Sequence, residues 1–386
     1  MKALMKIESL TLYKVPPRWL FLKIRTDEGL EGWGEPIVEG KADTVAAAIS
    51  EMADYIVGQP ANHIEDIWQA VYRGGFYRGG PILTSALSGI EQALWDLKGK
   101  SLGVPIYELL GGPVRDRMKV YSWVHGDTPQ QLAESVLSRV NAGYQAIKMG
   151  VPGPNTWIDT PQKLDLIIES VALVREAVGN DIAIGVDFHG RIHKGMARSL
   201  VRELEPFKLM FIEEPFPPGH EDSLRDLRAI TGIPIALGER LYTRWGFKEI
   251  ISKGLADVIQ PDLSHAGGIL EVKKIAAMAE AYDIALAPHC PLGPIALAAS
   301  LQVDFCTPNA LIQEQSLEIH YHKESELLSY LANPEVFNFS DGYVLLPLDP
   351  GLGITIDEEK VRNASQIGHN WRSPIWRNVD GSIAEW

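Results

Sequence analysis

Three carboxylates recur in the sequence at one spacing. The run Ile184-Gly185-Val186 ends in Asp187, Phe211-Ile212 ends in Glu213, and Pro234-Ile235-Ala236-Leu237-Gly238 ends in Glu239. Asp187 to Glu213 is 26 residues, and Glu213 to Glu239 is 26 again. That interval is one strand plus one helix, so acids closing three successive parallel strands of a barrel would converge on one point. Three hard oxygen donors at one point suit Mg²⁺. A single acid of this kind is better read as a solvated loop residue; equal spacing of three argues for a metal centre. Glu214 competes with Glu213 for the ligand role, but strand alternation points the two apart.

The residues after the later apolar runs extend the pattern. They are Lys148, Asp187 with His189, Glu213, Glu239, Asp262, His289 and Glu314, and every one can ionise. Such a set suits removal of a proton next to a carboxylate. That proton is weakly acidic because its loss makes a dianion, which a divalent cation and a hydrogen-bond donor must stabilise as it forms. A histidine works as a base near neutral pH, and Asp262 could orient the ring of His289. His320 and His322 form a His-x-His, but with no cysteine nearby they read as a surface or tail contact rather than a zinc site.

The elements that must position these groups follow from periodicity. From Met118 onward, apolar runs at 119–123, 145–149, 182–186, 209–212, 234–237, 257–260, 284–287 and 311–313 alternate with amphipathic helical stretches. This is the pattern of βα units on a parallel sheet, and eight units favour a closed barrel. His320-Tyr321-His322-Lys323 interrupts the last helix. The expected fold class is therefore α/β, a modified TIM barrel of (β/α)7β type with an α+β capping domain. Ahead of the barrel, residues 7–15, 20–25 and 30–35 read as an antiparallel meander, with turn chemistry at Thr26-Asp27-Glu28-Gly29. Helices follow on Val45, Ala48, Ile49, Met52, Tyr55 and Ile56, and on Leu83, Ala86, Ile90, Ala93, Leu94 and Leu97. Beyond Asn333 a Pro/Gly-rich tail holds two expected strands, 342–346 and 352–356. It ends in Trp371, Trp376 and Trp386, too aromatic to hang in water. The expected organisation is a capping domain over 1–117, a catalytic barrel over 118–333, and a tail over 334–386 that packs back on the cap.

Composition narrows the function classes. A net charge of −14 without a long basic run argues against nucleic acid. Two cysteines cannot make a disulfide framework, which points to a reducing cytoplasm. The N-terminus has no signal-peptide pattern, and no 18-residue apolar stretch offers a membrane span.

On these residues the chain resembles the enolase superfamily, mandelate-racemase subgroup. The resemblance covers almost the whole chain. It is most specific at Trp33-Gly34-Glu35-Pro36, 75–81, 187–191, 260–268, 287–294 and 313–316, and at Trp371-Arg372 and Ala384-Glu385-Trp386, where the chain looks like the galactonate dehydratases of that subgroup. The resemblance implies Mg²⁺ on Asp187, Glu213 and Glu239. It implies that His289, paired with Asp262, takes the C2 proton of an acid sugar, and that His189 protonates the departing 3-hydroxyl. Glu314 would hydrogen-bond the enediolate, for which it must be protonated; nearby carboxylates push its pKa that way. Lys148 matches the first lysine of a Lys-x-Lys pair, but Gly150 breaks the pair, which counts against a racemase. The implied substrate is D-galactonate, with gluconate, fuconate or arabinonate as alternatives. Analogy to related barrels implies a homo-oligomer. Arg18, Tyr77 and Arg78 are candidates to reach the substrate from capping loops. A binding or scaffold protein built on a retired barrel would have lost a ligand or His289, and none is lost.

Overall fold

The computed structural model describes residues 5–317, 319 and 327–385. The chain opens on an antiparallel sheet of β1 (Ile7–Val15), β2 (Trp19–Thr26) and β3 (Glu31–Gly34), in that order. Four helices follow: α1 (Ala42–Ile56), α2 (Ile64–Arg73), α3 (Gly80–Leu102) and the short α4 (Ile106–Leu109). Helix α3 lies directly on β3. A Cβ at Gly34 would sit 1.9 Å from the Gly89 carbonyl oxygen, so this approach requires glycine.

The barrel begins later than its apolar run suggests. The expected strand at 119–123 is split: β4 (Arg117–Lys119) is separate from β5 (Ser122–Val124). Units then follow in order: α5 (Pro129–Asn141), β6 (Ala146–Gly150), α6 (Pro161–Val178), β7 (Ala183–Asp187), α7 (Lys194–Leu204), β8 (Phe211–Glu213) and α8 (Asp222–Arg228). The series ends with β9 (Ile235–Leu237), α9 (Thr243–Ser252), β10 (Val258–Ile259), α10 (Ile269–Glu280), β11 (Ala285–Leu286) and α11 (Pro294–Phe305). Strands β5 to β11 form one parallel sheet in chain order. Residues 309–313 close it without forming a regular strand. Leu286 N–H donates to Asn309 O at 2.9 Å, and Gln313 N–H donates to Lys119 O at 2.9 Å. The interior is filled by Tyr121, Ala146, Phe211, Ala236, Val258, Ala287 and Ile312. The third strand contributes Gly185, because a Cβ there would meet the Phe211 ring at 2.7 Å.

In the tail, β12 (Tyr343–Leu345) pairs antiparallel with β4, which explains why the apolar run at 119–123 divides. The second expected tail strand, 352–356, does not form; Ile356 makes only an isolated bridge to Leu331. Helix α12 (Glu358–Ile367) lies against β1, and Glu358 accepts from Lys23 Nζ at 2.7 Å. The chain then runs past the Arg18 guanidinium, 5.1 Å from the Trp371 ring, to Arg191, 4.3 Å from the Trp376 ring. Trp386 lies outside the described residues. Among the described residues, no helix is long and apolar enough to cross a membrane.

Cap and barrel meet through two buried glutamates. Glu35 accepts from Gly293 N–H at 2.7 Å and Ala296 N–H at 2.9 Å, at the start of α11. Glu91, on α3, accepts from Ile269 N–H at 2.7 Å and Leu270 N–H at 2.9 Å, at the start of α10. Each satisfies first-turn donors that a helix cannot satisfy itself.

Candidate active site

Barrel chemistry gathers where strands end, and strand register brings the acids together. Asp187 and Glu213 end β7 and β8 as paired neighbours, and Glu239 lies two residues past β9. One oxygen from each of the three lies within 4.8 Å of the others. Oδ2 of Asp187 is buried and accepts no hydrogen bond. Burial, reinforced by the charge of Asp187, pushes Glu213 well above the usual carboxylate range. Burial raises Glu239 to about 7 against the pull of His289. Three carboxylates this close repel one another, and an all-oxygen donor set of this kind fits a hard divalent cation such as Mg²⁺.

One cation is built in. Lys148, on β6, is fully buried. Its Nζ lies 2.5 Å from Glu213 Oε1, 3.0 Å from Glu314 Oε1 and 3.5 Å from Asp187 Oδ2. Burial alone would discharge it, but Glu213 and Glu314 hold its pKa well above the ordinary lysine value. Its ammonium also sits 4.5 Å from the centroid of Trp123. The second oxygen of Glu213 accepts from Gln260 Nε2 at 2.7 Å.

Two histidines face the same cavity, of about 220 Å³, that Asp187 and Glu239 line. Nδ1 of His289 lies 2.8 Å from Asp262 Oδ2, and the other oxygen of Asp262 accepts from Ser264 N–H at 2.7 Å. With Asp262 as its partner, Nδ1 carries a proton, leaving Nε2 toward the cavity, 3.4 Å from Glu239 Oε2. His189 has a left-handed backbone (φ 50°), held by its N–H donating to Asp187 Oδ1 at 2.7 Å. Its ring stacks on Trp123 at 5.7 Å. A Cβ on Gly150 would lie 3.5 Å from His189 Cε1, an ordinary contact, so Gly150 borders this ring. Burial lowers His189 to about 4. For His289, burial pulls down but Glu239 and Glu314 outweigh it, and its pKa stands well above the usual histidine value. Both shifts belong to a site with no metal cation on its carboxylates, and those carboxylates are what raise His289.

Glu314 corrects an expectation. Its Oε1 accepts from Trp123 Nε1 at 2.6 Å and its Oε2 from Cys290 N–H at 2.7 Å. Burial raises its pKa, yet Lys148 and His289 win and hold it below the usual value. Both oxygens are acceptors on an ionised carboxylate, not a protonated donor. The neighbouring carboxylates matter less than the ammonium wedged among them.

Of the capping-loop candidates, Arg18 lines the cavity. Tyr77 is exposed, and Arg78 lies over the Tyr72 ring instead; neither lines it. Glu214 turns away from Glu213 to pair with Arg240. His320 and His322 lie outside the described residues. Trp123, Gln260, Glu39 and His265 enter the site unforeseen. The first two end barrel runs, and a reading restricted to ionisable side chains passes over them.

Comparison with known proteins adds the lineage. Residues 14–111 match the family described as mandelate racemase / muconate lactonizing enzyme, N-terminal domain, and residues 131–360 match enolase C-terminal domain-like. The D-galactonate dehydratase of Ralstonia pickettii (strain 12J) is 53% identical over 382 residues, 99% of this chain and 100% of that protein. The D-galactonate dehydratase of Pectobacterium atrosepticum is also 53% identical, with the same coverage. Among solved structures, the mandelate racemase/muconate lactonizing enzyme from a Sulfitobacter species superposes with a TM-score of 0.88 at 30% identity, covering 99% of this chain and 100% of that one.

Proposed function

The chain belongs to the mandelate racemase / muconate lactonizing enzyme family of the enolase superfamily, and from that premise we propose that it is a Mg²⁺-dependent dehydratase of D-galactonate. The observation that carries this reading is one cavity shared by Asp187, Glu239 and two histidines from barrel strands four apart. Relatives at 53% identity over their whole length, named D-galactonate dehydratases, support the substrate.

Asp187, Glu213 and Glu239 would hold the ion. Bound there, Mg²⁺ acts as a Lewis acid that lowers the cost of a second negative charge beside the substrate carboxylate. Nε2 of His289 takes the proton from C2, with Asp262 holding the ring and its tautomer. His189 delivers a proton to the 3-hydroxyl as the C3–O bond breaks, and water leaves. The enol that remains picks up a proton at C3 and becomes 2-dehydro-3-deoxy-D-galactonate. A cation on Glu239 offsets the charge that keeps His289 protonated, and an anionic substrate raises the pKa of His189. Both changes move the rings toward their working states. Gly150 supports dehydration over racemisation, since it offers no second base beside His189.

The test is a panel of D-galactonate, D-gluconate, D-fuconate and D-arabinonate with Mg²⁺, assayed for 2-keto acid. D-Galactonate should react fastest. Exhaustive chelation should abolish turnover while circular dichroism stays unchanged, because the ligands sit on separate strands of a large core. No keto acid from any member refutes the reading, and full activity after chelation refutes the metal.

A further inference from the structure

Besides the carboxylate cluster, the cavity lining holds a second polar group built from both parts of the chain. Glu39, in the loop after β3, presents its carboxylate between the Arg18 guanidinium and the His265 imidazole. Arg18 Nη2 is 3.6 Å from Oε1, and His265 Nε2, from the loop after β10, is 3.8 Å from Oε2. Both gaps exceed a charge-assisted hydrogen bond, which spans about 2.7–2.9 Å. Neither side chain is loose. Arg18 Nη2 donates to Pro291 O at 3.3 Å, and His265 Nδ1 lies 2.9 Å from Ser85 Oγ on α3. The side chain of Glu39 keeps 22% of its surface accessible, and it lines the cavity with Arg18 and His265.

We propose that Glu39 is the specificity-determining residue that reads the C4 hydroxyl of the acid sugar; this rests on the dehydratase reading above. The carboxylate and 2-hydroxyl of the substrate belong at the metal ligands, and the 3-hydroxyl at His189. The first hydroxyl left over is on C4. A hydroxyl set between Glu39 and Arg18 donates to the carboxylate and accepts from the guanidinium. It replaces one long ion pair with two hydrogen bonds. The C4 epimer points that hydroxyl away and leaves the carboxylate without its donor, which is where selective sites lose most of their affinity for a wrong substrate.

D-Galactonate and D-gluconate differ only at C4, so the test compares kcat/KM for the two in the wild type, Glu39→Gln and Glu39→Ala. The wild type should prefer D-galactonate. Glu39→Gln should cut kcat/KM for D-galactonate by about 10- to 100-fold, mostly through KM, the scale of one lost charged hydrogen bond. It should change D-gluconate less than about threefold, and Glu39→Ala should act the same way. An equal fall on both epimers, or an unchanged preference, overturns the proposal. If the wild type dehydrates neither acid, the dehydratase reading has failed. Calorimetric binding of the two acids then decides Glu39 alone: a preference lost in Glu39→Gln upholds it, and equal binding in the wild type overturns it.

Discussion

Replacing Lys148 by methionine probes the charge balance of the site directly. Its ammonium lies 2.5, 3.0 and 3.5 Å from Glu213, Glu314 and Asp187. At an effective dielectric of about 20 these contacts are worth roughly 7, 6 and 5 kcal/mol. The net loss is smaller, because methionine needs no desolvation and the abandoned carboxylates take up protons rather than stay charged. Removing one partner of a buried ion pair costs about 3–5 kcal/mol, and that is the expected destabilisation of the metal-free protein. A divalent cation neutralises Asp187 and Glu213 itself, so saturating Mg²⁺ should restore part of the loss. The sign with pH follows. Lys148 helps hold Glu314 and Asp187 below the usual carboxylate range, so the deficit of the variant should be smallest in acid, where both proteins have them protonated, and should grow as pH climbs through that range. Urea midpoints of both proteins, with EDTA and with Mg²⁺, measure all of this. A loss under about 1 kcal/mol in EDTA, or the same loss with and without Mg²⁺, would refute the idea that Lys148 stands in for missing positive charge.

Other expectations are simpler to state. Glu213→Gln should weaken Mg²⁺ binding in calorimetry far more than Glu214→Gln, whose carboxylate is committed to Arg240; equal effects would mean the wrong glutamate was chosen. In D₂O, His289→Asn should stop both dehydration and exchange of the C2 proton of D-galactonate. His189→Asn should lose dehydration by about 10²–10⁴ yet retain slow exchange, and NMR of recovered substrate showing the reverse would exchange their roles. Glu91→Gln replaces an acceptor that serves two backbone donors with one that can serve only one at its best geometry. It should cost about 1–3 kcal/mol in chemical denaturation; no change would mean that Glu91 does not hold the seam.

The sequence disclosed what recurs along the chain and concealed what depends on pairing across it. The equal intervals among Asp187, Glu213 and Glu239 mark strand ends because each βα unit has a similar length, and the three acids do converge. The run at 119–123 looks like one strand because hydrophobicity does not record that residues 117–119 pair with 343–345. The charge of Glu314 was misjudged for a similar reason. Its acidic neighbours lie at legible strand ends, but only three-dimensional packing shows Lys148 3.0 Å from it. Glu39 sits in a loop with no periodicity at all, and only the closure of cap on barrel gives it neighbours.

The glutamates at the seam have a consequence for how such chains can change. Opposite Glu35 stands Gly293, where a Cβ would fall 2.6 Å from Oε1; opposite Glu91 stands Gly268, where it would fall 2.1 Å from Oε2. Each acid therefore has a matching notch on the other part of the chain. A side chain gained at either glycine would push the facing carboxylate off the helix start it serves, so a change on the barrel side of the seam would be felt on the cap side.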